Sequence, residues 1–188
     1  MTVLIAGLAV FLGVHLLPAL PRARLALVAR LGEQRYKGLF SLASAAGLAL
    51  IVAGYAWSDD RTRLFAPFPA ARALAPWAMT LSFVLLAAAN MRGHLRRILG
   101  HPMLLGVIVW SLVHLLANGD RTGTVLFGAF LAYALIDLAS AVQRGAVKSF
   151  EPVGRHDAIA VVAGIVVALA VMTFHRALFG VAVVPFGI

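Results

Sequence analysis

The stretch HPMLLGVIVWSLVHLLANG, residues 101–119, decides the fold. It carries the start and stop signals of a single helix. Pro102 suits a first turn, where its missing N–H has no intrahelical partner to lose, so His101 stands at the cap. Gly100 frees the turn before it, and Asn118-Gly119 suits a left-handed closing residue. Between these signals no side chain bears a fixed charge. A helix of this kind belongs in a protein core or in lipid, and the rest of the chain selects lipid.

Working outward, five more apolar runs cover 2–20, 38–57, 74–91, 122–142 and 159–178, beside 102–117. Each is near the roughly 20 residues that cross a bilayer core of about 30 Å, with 102–117 the shortest. Hydrophobic residues make up 62% of the 188 and charged residues 12%, more apolar matter than one soluble domain of this length can bury. The expected fold is an all-α polytopic membrane helix bundle of about six transmembrane helices, one domain over 1–188. Run 2–20 has no basic stretch ahead of it and is followed by Arg22 and Arg24, the reverse of a secretory signal, and reads as a retained helix.

The net charge of +9 is gathered in the connections. The first, third and fifth carry Arg22, Arg24, Arg30, Arg35 and Lys37, then Arg92, Arg96 and Arg97, then Arg144, Lys148 and Arg155. The second and fourth carry only Arg61, Arg63, Arg72 and Arg121. The positive-inside rule then places the odd connections in the cytoplasm and both termini outside, with Trp57 and Trp77 as interfacial aromatics at the outer face. Topology and anionic headgroups account for the basic clusters, so the bilayer, not nucleic acid, is the expected partner. Over 22–37, Leu25, Leu27, Val28 and Leu31 interleave with basic residues, the pattern of a short helix in the headgroup plane.

There is no cysteine, so imidazole and carboxylate are the only strong metal ligands. Of the six histidines, His15, His94, His101 and His156 fall towards the cytoplasmic side and His114 and His175 towards the outer side. His101 and His114 are 13 positions apart, about 20 Å along a helix axis and about 140° apart in direction, which does not suit one shared ion. Trp110 shares a face with His114, and Phe11 shares a face with His15. An imidazole pair from facing helices, walled by aromatics, is a natural site for haem b, with Arg22, Arg24, Arg96 and Arg97 available to its propionates. The plainer role of a membrane-helix histidine is an interhelical hydrogen bond. On depths alone, His15 with His101 fits better than His15 with His114.

Asp137, within the fifth run, needs a partner or water. Either it reaches Arg144 or an arginine of the third connection, or it orients His101 or His94. Asn90 either bonds across helices or supports the approach to 92–97. Gly7, Gly13, Gly47 and Gly54 read as close-packing sites. No serine sits in a nucleophile elbow, no Walker motif is present, and the helix centres are too apolar for a transport path.

The helix-1 pair Phe11 and His15, the short basic connection after it, and His101, Pro102, Gly106, Trp110, His114, Leu116, Asn118 and Gly119 resemble the NnrU family of bacterial membrane proteins over nearly the whole chain. That family is linked to nitrite and nitric oxide metabolism in denitrifying bacteria, and the plant 15-cis-ζ-carotene isomerase is similar to it. The resemblance implies a bacterial cytoplasmic membrane location and a haem b held between histidines, His15 with His114, with His101 as the competitor to either. If the chain is an enzyme, it implies isomerase-like or redox chemistry at the iron on a hydrophobic small molecule.

Two readings stand beside this one. A non-catalytic scaffold would bind a membrane protein partner and no cofactor. Membrane methyltransferases that use S-adenosylmethionine carry an RHPxYxG stretch, which 100–106 resembles in His101, Pro102 and Gly106 but without the arginine and the tyrosine. Losing that guanidinium fork counts against binding the cofactor's carboxylate.

Overall fold

The computed structural model describes residues 1–60, 62–185 and 187; Arg61, counted above in the second connection, lies outside them. The elements are α1 (Thr2–Leu16) with a 3-10 turn (Leu17–Ala19), α2 (Pro21–Leu31), α3 (Glu33–Ala56), α4 (Pro69–Ala89), α5 (His94–Leu99), α6 (Pro102–Asn118), α7 (Arg121–Gln143) and α8 (Gly154–Phe179). Thr2–Ala19, α3, α4, α7 and α8 are each long and apolar enough to cross a membrane. The sixth apolar helix, α6, has 17 residues, about 25 Å of rise, and packs between α4 and α7. The architecture is the expected all-α membrane bundle.

The expected boundaries shift where caps override hydropathy. Gly32, at φ 75°, ends α2, so α3 starts at Glu33 and not at 38; Arg35 and Lys37 belong to its first turns, where Lys37 pairs with Glu33 at 2.7 Å. The headgroup-plane helix is therefore α2 alone, which buries no residue. Proline at the first helical position starts α4 at Pro69, ahead of the expected 74. The chain also makes a short helix, α5, within what reads as the third connection.

Packing falls into two halves joined by α6: α1, α3 and α7 on one side, α4 and α8 on the other. Small residues close the contacts. A Cβ on Gly7 would lie 2.6 Å from the Ile51 nitrogen and one on Gly47 would lie 2.8 Å from that of Phe11, while one on Gly54 would strike the backbone of Leu4. Gly13, expected in the same role, faces open space. It lies on the lipid side of α1, one position past the buried stripe of Leu4, Leu8 and Leu12. On the other side, Gly164 accepts Val84, and the wholly buried Ser82 hydroxyl donates to the Gly106 carbonyl at 2.8 Å, fastening α4 to α6.

All the basic connections gather at one end of the bundle, the basic end. There Ser140 Oγ meets the Ala19 carbonyl at 3.4 Å, Val147 lies against Gly100, and Asp157 caps α5. At the opposite, distal end, the connection between α3 and α4 is stitched onto the α6–α7 turn. Leu64 N donates to the Gly119 carbonyl at 2.8 Å, Phe68 N to that of Leu116 at 3.0 Å, and Arg121 N to that of Thr62 at 2.9 Å. Thr122, fully buried, donates to the Asp60 carbonyl at 2.7 Å, so Ser58 is the donor in the 2.8 Å contact between their hydroxyls. Asp60 accepts from Thr62, which holds its carboxyl below the ordinary aspartate range, with Arg121 at 3.2 Å adding to the effect. Trp57 and Trp77 stand more than 70% exposed at this end.

Candidate functional site

His15 and His114 share one local geometry. In each, Nδ1 lies against the carbonyl four residues earlier on its own helix, at 2.7 Å to Phe11 and 2.8 Å to Trp110. A carbonyl only accepts, so Nδ1 carries the proton and donates. That fixes the neutral tautomer in which Nε2 has the free lone pair. Among the described residues no group bonds either Nε2, and both rings are half-buried.

Aromatic rings connect the two. Phe11 stacks on His15 at 4.2 Å, with Phe40 of α3 at 5.2 Å and Tyr133 of α7 edge-on at 6.4 Å. Phe11 meets Phe130 at 5.9 Å, and Phe130 meets Trp110 at 5.3 Å. His114 lies 5.5 Å from Trp110 and 4.8 Å from Phe127. The wall runs from α1 across α7 to α6, with Phe127, Phe130 and Tyr133 as successive rungs.

The rungs give the depths. His114 sits beside Phe127 and His15 beside Tyr133, six residues or about 9 Å apart along α7. Side chains on a helix lean towards its N-terminus. Because α1 runs from the distal to the basic end and α6 runs back, His15 leans distally and His114 leans basally. The two rings converge on the level of Phe130, narrowing the separation that their Cα positions suggest.

His101 lies elsewhere. It forms part of the wall of a cavity of about 200 Å³ at the basic end, near Arg96, Lys148 and Phe150. Its Nε2 is sealed from solvent without a hydrogen-bond partner. The structure brings His15 and His114 to one aromatic wall and keeps His101 apart from it. Of the arginines considered for propionates, Arg24 lies over the Tyr36 ring at 5.8 Å and Arg96 over Phe150 at 5.4 Å.

The remaining polar residues have structural partners. His94 Nδ1 and N both meet Asp157 Oδ2 at 2.9 Å, and Leu95 N donates to Oδ1 at 2.9 Å. Asp157 is thus the cap of α5, a role that Gly93 at the helix start has no side chain to fill. His175 Nδ1 donates to the Val181 carbonyl at 2.7 Å. Asp137 reaches none of Arg144, His94 and His101: it accepts from Tyr133, one turn back on the same helix, at 3.4 Å. Arg144 turns to Ser140 instead, at 3.2 Å. Asn90 donates back to the Leu86 carbonyl at 3.0 Å and makes no printed bond across helices.

Tyr133 and Phe130 were not singled out in the sequence, although their spacing with Phe127 marks one face of a helix; only the packing of α1 and α6 on that face makes it a site. Among the described residues no three of His, Asp or Glu come together, so a bare ion of the zinc type finds no ordinary protein cage. Two imidazoles suit instead a metal that brings its own in-plane nitrogens.

No curated protein and no solved structure matches the chain. The family described as NnrU protein matches residues 3–183, nearly the whole length, and the chain belongs to that family.

Proposed function

We propose that the protein holds a b-type haem at the aromatic wall of α1, α7 and α6, with His15 and His114 offering Nε2 to the iron and the basic end facing the cytoplasm of a bacterial cell. The observation that carries this reading is the matched anchoring of the two rings, Nδ1–H on a main-chain carbonyl and Nε2 unengaged. Second-sphere carbonyls of this kind fix a ligating histidine's tautomer and orientation and raise its basicity. Phe11, Phe130 and Trp110 would supply the apolar faces that a macrocycle packs against and exclude water from it.

His101 is the weaker ligand. Its cavity of about 200 Å³ is below the roughly 300–1,000 Å³ that holds even drug-sized molecules, and its Nε2 is closed off. A bound haem supplies a redox-active iron. In this chain the residues bind and orient it, and a hydrophobic substrate would arrive from lipid. By resemblance, nitrogen-oxide metabolism and ζ-carotene isomerase-like chemistry are the settings for such an iron.

The test is the visible spectrum, oxidised and dithionite-reduced, of detergent-purified protein expressed with ample haem. A Soret band and a b-type pyridine haemochrome are expected, with haem content lowered in His15→Ala and in His114→Ala while both variants still insert. Full haem content in both variants removes the ligand assignment. Repeated absence of haem from stable wild-type protein removes the proposal and favours a scaffold.

A further inference from the structure

The cavity beside His101 uses neither His15 nor His114, so it asks for an account of its own. Arg96 from α5 and Lys148 from the connection after α7 stand on its wall. Neither has a carboxylate partner among the described residues, although seven acidic side chains are in the chain. The Arg96 guanidinium is instead held at 5.4 Å over the Phe150 ring, which fixes its position at the rim. Two unpaired cations brought together by separate segments repel each other unless an anion sits between them.

Two more donors face the same need. The start of α6 has no side-chain cap, and its first amides after Pro102, those of Met103 and Leu104, belong to residues of the cavity wall. They add the positive end of a 17-residue helix. His101 Nε2, sealed and without a partner, is the third element of the wall that lacks its counterpart. The surround is apolar: Met103 and Val147 are about half exposed and Ile98 is 77% exposed, at the level where headgroups meet acyl chains.

We propose that this cavity binds a phosphoryl anion, held by Arg96 and Lys148 over the start of α6. Its size suits a phosphate or a phosphoglycerol headgroup and not a nucleoside cofactor. The anion comes either from an acidic phospholipid, whose chains would lie along Met103, Val147 and Ile98, or from free phosphate. Planar guanidinium with ammonium and helix amides is the donor set that phosphate oxygens select.

The test is calorimetric titration of the detergent-purified full chain with dioctanoyl phosphatidylglycerol, dioctanoyl phosphatidylcholine and inorganic phosphate. Wild type is compared with Arg96→Gln, Lys148→Gln, the double variant, and Arg97→Gln, an exposed neighbour outside the cavity. Phosphatidylglycerol is expected to bind in preference to phosphatidylcholine, at least about tenfold more weakly in the double variant, and within about twofold of wild type in Arg97→Gln. Inorganic phosphate binding with the same dependence on Arg96 and Lys148 equally supports the site and names the free anion as its source. Absence of binding by both anions overturns the proposal, as does an equal loss in Arg97→Gln, which would mean diffuse surface charge. Lys148 is exposed, so its single variant gives the reading should the double variant misfold.

Discussion

Two alanine substitutions on neighbouring helices should move stability in opposite directions. At Gly54 a Cβ would strike the Leu4 backbone, lying 2.6 Å from its Cα and 2.8 Å from the Val3 carbonyl carbon. No rotamer relieves a clash with main chain, so α1 and α3 must part. Opening 2.6 Å to the 3.4 Å at which ordinary contact begins requires about 0.8 Å. A gap of that size forfeits a quarter to a half of each contact's roughly 0.1–0.2 kcal/mol. Taking half of the roughly 40–60 contacts of a buried leucine such as Leu4 as facing α3, the loss is about 1.5 kcal/mol. That lies within the range of about 1–3 kcal/mol for an overpacked core. Gly13→Ala adds a methyl to open space and removes a helix-interior glycine, which should stabilise by about 0.5–1 kcal/mol. Thermal unfolding in mild detergent, followed by far-UV circular dichroism, should rank Gly13→Ala above wild type and Gly54→Ala below it. If Gly54→Ala unfolds with or above Gly13→Ala, the α1–α3 contact is not the glycine seam described.

Thr122→Val keeps the shape but leaves the Asp60 carbonyl without its donor and Ser58 without its acceptor, and should destabilise by about 1–3 kcal/mol in the same assay; an unchanged midpoint would show that water replaces both bonds. Asp157→Ala removes the acceptor from the His94 and Leu95 amides, which should then exchange hydrogen several-fold faster by mass spectrometry, with α8 unaffected beyond its first turn; unchanged exchange would mean that α5 does not depend on this cap. The Asp60 carboxyl is held below its unfolded value, so its contribution is complete above the ordinary aspartate range near about pH 4 and is lost as pH falls through the lowered folded value. Trp57 fluorescence should report an acid-induced loosening of the distal connection that Asp60→Asn, loosened at every pH, no longer shows; the same acid response in Asp60→Asn would assign it to another group.

What the sequence made legible follows from how local each signal is. The bounds of α6 came from Pro102 and Gly119, two residues whose backbone chemistry acts where they stand, and the structure keeps both ends within a residue. The starts of α3, α4 and α8 moved outward because a hydropathy run begins at the first apolar residue, whereas a helix begins at its cap: Gly32, Phe68 and Val153. Asp137 was assigned distant cations because a carboxylate in a helix needs a partner, but the nearest donor one turn away, Tyr133, answers that need without any tertiary contact. Asp157, by contrast, had no mark in the sequence. Its role exists only because α8 starts beside the short α5, and such a pairing of residues 63 positions apart is set by the packing of the bundle.

The histidine depths show the same limit from the functional side. Counting residues places Cα atoms, and on that count His15 belongs with His101 at the basic end. Ring nitrogens do not sit at the level of their Cα atoms. Each imidazole is drawn back towards its helix's N-terminus by the bond from Nδ1 to the fourth preceding carbonyl. On two parallel helices that displacement would carry both rings the same way and leave their separation unchanged. On α1 and α6, which run in opposite directions, it carries them together, so the topology of the bundle decides which pair can meet. The same rule separates His101 from either partner: at the cap of α6 it precedes the helix and has no such carbonyl to draw it inward, which leaves it to the basic rim and to the anion chemistry of Arg96 and Lys148.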